Sequence, residues 1–197
     1  MTPAVALFLK APRAGTVKTR LAAEIGDAAA LELYRRMAGL ALAAVRETGF
    51  DATVWYAPAD ARDEMVGWLG AECRYEPQVD GDLGARLAGS AGRATPGSVW
   101  IAIGGDCPRL VAAHLSAAAE SLEHSEVVLG PTDDGGYYLI GGRVPLPGLF
   151  TGMPWSTAAV LDQTRARLIA LGLRWHELPA LRDVDTAADA RAEGLLP

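Results

Sequence analysis

The sequence predicts an α/β fold: a three-layer α/β/α sandwich with helices on both faces of a mostly parallel sheet. Three observations predict it. Strand-like and helix-like patterns alternate from one end of the 197 residues to the other. The strand-like runs are short and continuously apolar, as in "AVALFL" and "SVWIAI", which suits strands covered on both faces. The polar, glycine-bearing loops "KAPRAGTVKTR", "GGDCPRL" and "GPTDDGG" each follow a strand. Open sheets of this kind bind ligands beyond the carboxyl ends of their strands, at a topological switch point, so these loops are expected on one rim.

The elements follow in order. Residues 4–9 form an apolar strand before a Pro- and Gly-bearing turn, and "VKTRLAAEI" is helix-like. Leu31, Tyr34, Met37, Ala41 and Val45 recur every three or four residues and mark an amphipathic helix. Asp27 is its expected N-cap and Gly49 its stop. "ATVWYA" is a strand, "DARDEMVGWLG" a short helix and "ECRYEP" a weak strand. "GDLGARLAGSAGRA" is a helix starting at Asp82, and "SVWIAI" the central strand. A helix over 110–124 precedes the strands "EVVLGP" and "GYYLIGG". "STAAVLDQTRARLIALG" is a helix capped by Ser156 or Thr157 and stopped by Gly172. "RWHEL" and "TAADARAEG" supply a last strand and a last short helix.

Half of the residues are hydrophobic and 21% are charged, enough for one full core, so residues 1–197 read as a single domain. A net charge of -6 argues against nucleic acid and anionic lipid as partners. Two cysteines, Cys73 and Cys107, lack the spacing of a metal site or a disulfide framework. No stretch has the length of a membrane span and the first residues lack a basic leader, so the expected location is cytoplasmic.

The first loop carries Lys10, Arg13, Lys18 and Arg20 around Gly15, followed by a helix start. Backbone N–H groups and cations together suit an anion such as phosphate. The alternative is a solvated basic turn paired with Glu24 or Asp27. The loop is neither a "GxxxxGK[ST]" nor a "GxGxxG" sequence.

Asp106 ends the most apolar strand after Gly104 and Gly105. A carboxylate there suits a hard dication, since Mg²⁺ takes one or two carboxylates and completes its shell with water and phosphate oxygens. The glycines would let phosphates approach the backbone. The alternative is helix capping ahead of Leu110, with Pro108 in the first turn. Cys107 suits packing, because a thiolate is a poor ligand for such an ion.

In "GPTDDGGYYLIGG", Asp133, Asp134, Gly135 and Gly136 read as a turn that also faces a ligand, and Tyr137 and Tyr138 enter the next strand on opposite faces. Asp82 and Arg86 in "QVDGDLGARL" suit a nucleotide contact or an ordinary capped helix. Asp183, Asp185 and Asp189 in "RDVDTAADA" offer a second metal carboxylate or a capped helix with acids at its positive end. Trp155 in "GMPWST" suits acceptor stacking or burial. The three histidines form no ligand pair, and no "GxSxG" is present.

"FLKAPRAGTVKTRLA", "QVDGDLGARL", "GGDCPRL", "GPTDDGGYYLIG" and "MPWST" occur in this order across most of the chain. Together they resemble the small bacterial radical-SAM/selenodomain-associated transferases of GT-A type, part of which is linked as glycosyltransferases to arsenosugar biosynthesis. More distantly, "GTVKTRL" and "GGDCP" are similar to parts of the guanylyltransferases of molybdenum-cofactor and phospholactate pathways. The resemblance implies a Rossmann-like GT-A domain using Mg²⁺ or Mn²⁺ with a nucleotide or nucleotide sugar and a small-molecule acceptor. It implies Asp106 as metal ligand, Lys10, Lys18 and Arg20 on the phosphates, and a second metal carboxylate near "DVDTAADA". The chain departs from the pattern in two places: "LAGGxSxRMGxxK" is missing, and Gly104 stands where a "DxD" would have its first acid.

The expectation is therefore a metal-dependent glycosyltransferase acting on a nucleotide sugar. The rivals are a nucleotidyltransferase releasing pyrophosphate and a non-catalytic nucleotide-binding module. The expected catalytic residues are Asp106, Asp134 and Lys18, and the expected metal ligands Asp106 and Asp183. The nucleotide would meet Lys10, Gly15, Lys18, Arg20, Asp82, Arg86 and Gly105. The acceptor would meet Asp133, Gly135, Gly136, Tyr137 and Trp155.

Overall fold

A computed structural model describes residues 2–197. In chain order the elements are β1 (Ala4–Lys10), α1 (Thr19–Ile25), α2 (Asp27–Thr48), β2 (Asp51–Ala57), α3 (Arg62–Leu69), β3 (Arg74–Pro77) and α4 (Leu83–Ala91). Then come β4 (Val99–Ile103), α5 (Ala112–Ser121), β5 (Val127–Pro131), β6 (Tyr137–Arg143), α6 (Val160–Leu171), β7 (Trp175–Glu177) and α7 (Ala187–Ala192). The strands form one seven-stranded sheet in the order β3-β2-β1-β4-β6-β5-β7. β6 runs antiparallel to both β4 and β5, and every other pairing is parallel. The short connection between β5 and β6 explains the reversal, because a parallel return needs a long crossover.

Period-two alternation builds two apolar layers. Leu7, Leu9, Ile101 and Ile103 face the layer closed by α2 and α5. Ala6, Trp100, Ala102 and Ile140 face the opposite layer, closed by α4 and α6. Apolar side chains cover both faces of β4, which is why it is buried at all five positions. A third, smaller cluster joins Leu21 of α1, Leu33 and Met37 of α2, and Val184, Ala187 and Ala190 around α7. It fastens the last helix beside the first loop. Among the described residues no helix is long and apolar enough to cross a membrane.

The chain winds outward from β1 through β2 to β3, then returns to place β4 on the other side of β1. The switch point thus lies between β1 and β4, and the loops after these strands diverge there. β1, β4 and β5 are mutually parallel, so the three polar loops do share one rim.

Several helix ends differ from expectation. Gly26, not Asp27, is the N-cap of α2. Gly26 closes α1 by donating to the Ala22 carbonyl and opens α2 by accepting from Ala30 N–H, at φ +85°, a corner that suits glycine. α6 starts at Val160 because Ser156 has φ +63°; Thr157 Oγ1 instead accepts from Ala159 N–H at 3.3 Å. α5 spans only 112–121, with His114 Nδ1 accepting from Val111 N–H at 3.2 Å. Asp82 does cap α4, accepting from Ala85 N–H at 2.8 Å. Thr186 caps α7 in a reciprocal box with Asp189.

Two glycine substitutions should act with opposite sign. Gly39 lies exposed within α2, and nothing stands within 4 Å of a Cβ built there, so Gly39→Ala should stabilise by about 0.5–1 kcal/mol. A Cβ at Gly26 is equally free of contacts, yet Gly26→Ala should cost about 1–2 kcal/mol from the left-handed backbone. Urea unfolding of both variants checks the pair; equal signs would contradict the corner described here.

Candidate functional site at the switch point

The site is assembled from four loops. Lys18 caps α1 with φ +47° and ψ +48°, a left-handed conformation that turns its side chain inward. Its ammonium lies 3.1 Å from Asp106 Oδ2 and 2.7 Å from Asp185 Oδ1. The Lys18 side chain is 9% exposed, whereas each carboxylate is 38% exposed. Burial disfavours the ammonium, but Asp106 and Asp185 outweigh it and hold the Lys18 pKa above its ordinary value. Arg20 Nη1 also reaches Asp185, at 3.4 Å.

Backbone bonds bring the C-terminal segment to the rim. Leu181 N–H donates to Pro131 O at 3.1 Å and Val184 N–H to Asp106 O at 3.0 Å. Val184 is fully buried in the small cluster around α7. Asp183, Asp185, Asp106 and Asp134 thereby gather near one another. Burial first, and then Asp134, Asp106 and Asp185, push Asp183 up to about 6.

This donor set fits a hard divalent cation. The oxygens are carboxylates, and after burial itself the neighbouring acids Asp134, Asp106 and Asp185 add to the rise of Asp183. Among the described residues, no three His, Cys, Asp or Glu side chains converge closely enough to hold a metal by themselves. One or two carboxylates completed by water and phosphate oxygens match the habit of Mg²⁺. Cys107 is buried, and burial together with the nearby acids pushes its thiol up, away from the thiolate form.

Around this point opens a cavity of about 360 Å³ lined by Lys10, Lys18, Arg20, Arg86, Gly105 and Asp106, with Gln78 and Asp185. Tyr34 fixes its back wall: its hydroxyl accepts from Lys10 N–H at 2.8 Å and donates to Lys10 O at 2.9 Å. Gln78 Nε2 donates to Leu9 O and Trp55 O, and its Oε1 accepts from Arg86 Nη1 at 3.2 Å. Arg86 Nε is buried without a partner among the described residues.

Other expected residues lie elsewhere. Gly15, at φ +74°, sits against Asp27 and outside the cavity lining. Asp82 also lies outside the lining, occupied with its helix cap. Asp133 accepts from Arg182 at 3.2 Å. Asp134 Oδ1 accepts from Thr132 Oγ1 at 2.6 Å and from Gly136 N–H at 2.9 Å, closing the turn. A side chain at Gly135 would strike the Ala158 carbonyl, and one at Gly136 would crowd Thr132 and Asp134. Tyr137 packs edge-on against Trp155, with ring centroids 6.5 Å apart, and both polar tips are buried. Asp185, Gln78 and Tyr34 are the site residues that sequence reasoning passed over or read otherwise. Asp185 was visible as one acid of a capped segment, and Tyr34 only as part of a helix stripe.

This geometry on this sheet defines an α/β domain of the nucleotide-diphospho-sugar transferase type. The chain belongs to a family of uncharacterized proteins conserved in bacteria, DUF2064, matched over residues 40–157. It is similar to the crystal structure of a candidate nucleotide-diphospho-sugar transferase from Desulfovibrio desulfuricans G20. That match has TM-score 0.92 and 32% identity and covers 98% of this chain and 87% of that one. Two more distant structures share the fold. A nucleotidyl transferase from Methanothermobacter thermautotrophicus has TM-score 0.65 and 17% identity, over 98% of this chain and 95% of that one. Rv0371c from Mycobacterium tuberculosis H37Rv, in complex with manganese, has TM-score 0.60 and 17% identity, over 98% and 97%. No curated protein matches the chain.

Removing one partner of a buried ion pair costs about 3–5 kcal/mol. With both carboxylates of the Lys18 triad partly in solvent, Lys18→Met should cost about 1–3 kcal/mol. Urea unfolding without added metal measures it; an unchanged midpoint would mean that the ammonium does not hold the two acids together.

Proposed function

We propose that the protein is a metal-dependent transferase that uses a nucleotide-activated donor, with a nucleotide sugar as donor and a small molecule as acceptor. The observation that carries this reading is the Lys18–Asp106–Asp185 constellation at the switch point, inside a cavity edged by Lys10, Arg20 and Arg86. Asp106, with Asp183 or Asp185, would hold Mg²⁺ or Mn²⁺. When bound, the ion would supply positive charge across the donor phosphates. The link of similar transferases to arsenosugar biosynthesis accords with the glycosyl form, and the protein would then work in the cytoplasm.

The chain's own groups carry the remaining work. Lys10, Lys18, Arg20 and Arg86 neutralise charge that grows on the leaving phosphate, and Gly105 leaves room for its approach. Gly15 and Asp82 shape the loop and the helix that flank these groups. The acceptor lies on the side of Asp133, Gly135, Gly136, Tyr137 and Trp155. Asp134 Oδ1 is committed to its turn, so Oδ2 is the oxygen that accepts the acceptor's proton. The acceptor oxygen bonds to the anomeric carbon. The sugar–phosphate bond breaks, and its electron pair leaves on the nucleoside diphosphate.

The cluster of four cations favours a second reading, because it also suits a leaving pyrophosphate. In that version the acceptor attacks the α-phosphate of a nucleoside triphosphate.

A panel of nucleoside triphosphates and nucleotide sugars, with and without Mn²⁺, tests the proposal. At least one should raise the melting temperature only with metal. Asp106→Asn should weaken that binding about 10- to 100-fold by calorimetry. Release of nucleoside diphosphate identifies glycosyl transfer and release of pyrophosphate nucleotidyl transfer. Metal-dependent binding without turnover would make the protein a binding module. Unchanged binding by Asp106→Asn would overturn the assigned role.

A further inference from the structure

Asp106 stands between two unlike cavities. On one side is the cation-lined cavity described above. On the other is a second cavity of about 260 Å³ under α4, lined by Leu87, Ala102, Tyr137 and Ile140, with Phe8, Leu83 and Gly104 shared between the two. Its walls offer few hydrogen-bond partners. Tyr138 contributes its ring, but its hydroxyl donates to Pro179 O at 3.3 Å, outside the cavity lining. Tyr137 likewise presents its ring, while its hydroxyl is buried beside Thr164 of α6. Asp106, at the mouth, is the one charged side chain among the lining residues.

We propose that this second cavity takes an apolar part of the acceptor, a short aliphatic or aromatic group attached close to the reacting oxygen, and that it excludes polyhydroxylated acceptors. The inference rests on the transferase reading given above and adds the acceptor's chemical class. A polyol in this cavity would leave hydroxyls without partners, whereas an alkyl or aryl group loses nothing to water and gains burial. Leu83, 42% exposed at the first position of α4, forms part of the rim that the two cavities share.

Inorganic phosphate and a series of phosphate monoesters (methyl, ethyl, n-butyl, phenyl and glycerol) serve as probes, with affinities read by ligand-observed NMR on the full chain with Mn²⁺ replaced by Mg²⁺. The phosphate should sit on the cationic side and the ester group should reach past Asp106. Affinity should then rise about fourfold per methylene from methyl to n-butyl. Phenyl phosphate should bind at least as well as n-butyl, and glycerol phosphate no better than methyl. Leu87→Ala, at a residue that lines the second cavity and not the first, should weaken n-butyl phosphate several-fold while leaving inorganic phosphate within about twofold. A flat alkyl series, a preference for glycerol phosphate, absence of phosphate-ester binding, or an equal loss for both ligands in Leu87→Ala would overturn the inference. Nucleotide binding with metal, measured by calorimetry on the same sample, separates the two readings. If it persists beside a flat series, only the acceptor class fails; if it is absent beside a rising series, the transferase reading fails and the apolar cavity stands.

Discussion

The contact on which the site depends is one ammonium held between two carboxylates. Lys18, Asp106 and Asp185 are separated by 88 and 167 positions from the lysine, yet they meet within hydrogen-bonding distance. Three devices hold them there. The left-handed backbone at Lys18 aims its side chain inward. The bond from Val184 N–H to Asp106 O ties the last loop to the central one. The small cluster of α1, α2 and α7 keeps Val184 buried. A buried lysine in this setting is stable only because both acids answer it.

That arrangement concentrates opposite charges without cancelling them. Asp183 remains as surplus acid, and Lys10 and Arg86 are left over as cations without a carboxylate partner among the described residues. A polyphosphate bridged by a dication complements both surpluses. The apolar cavity beyond Asp106 has the opposite character, and the two meet at a single carboxylate. Alternation along the strands produces this division. Leu9 and Ile103 close one layer, while Phe8 and Ala102 turn to the other and leave an apolar face under α4.

Much of this was legible in the residues alone. Continuous apolar strands announced a sheet covered on both sides, and polar loops after strands announced the rim. Asp82 was readable as a cap because a short oxygen-bearing side chain precedes a helix start. The misjudged ends share a cause: Gly26 and Ser156 take positive φ where the chain reverses, a conformation that apolar spacing does not announce. Among the acids near 183–189, sequence spacing could not separate Asp183 from Asp185. The choice is made by the bonds at Leu181 and Val184, which fix which acid meets the lysine. Gln78 and Tyr34 gave no signal, since a polar side chain whose partners are backbone groups looks like any other residue of its stretch.

The joint between Val184 and Asp106 also orders events in time. A nascent chain that has been made through β6 still lacks the second carboxylate that meets Lys18. Until residue 185 has emerged, that ammonium has Asp106 alone, and the last loop has nothing to close over. The charged cluster at this rim therefore cannot be complete before residue 185 has been made.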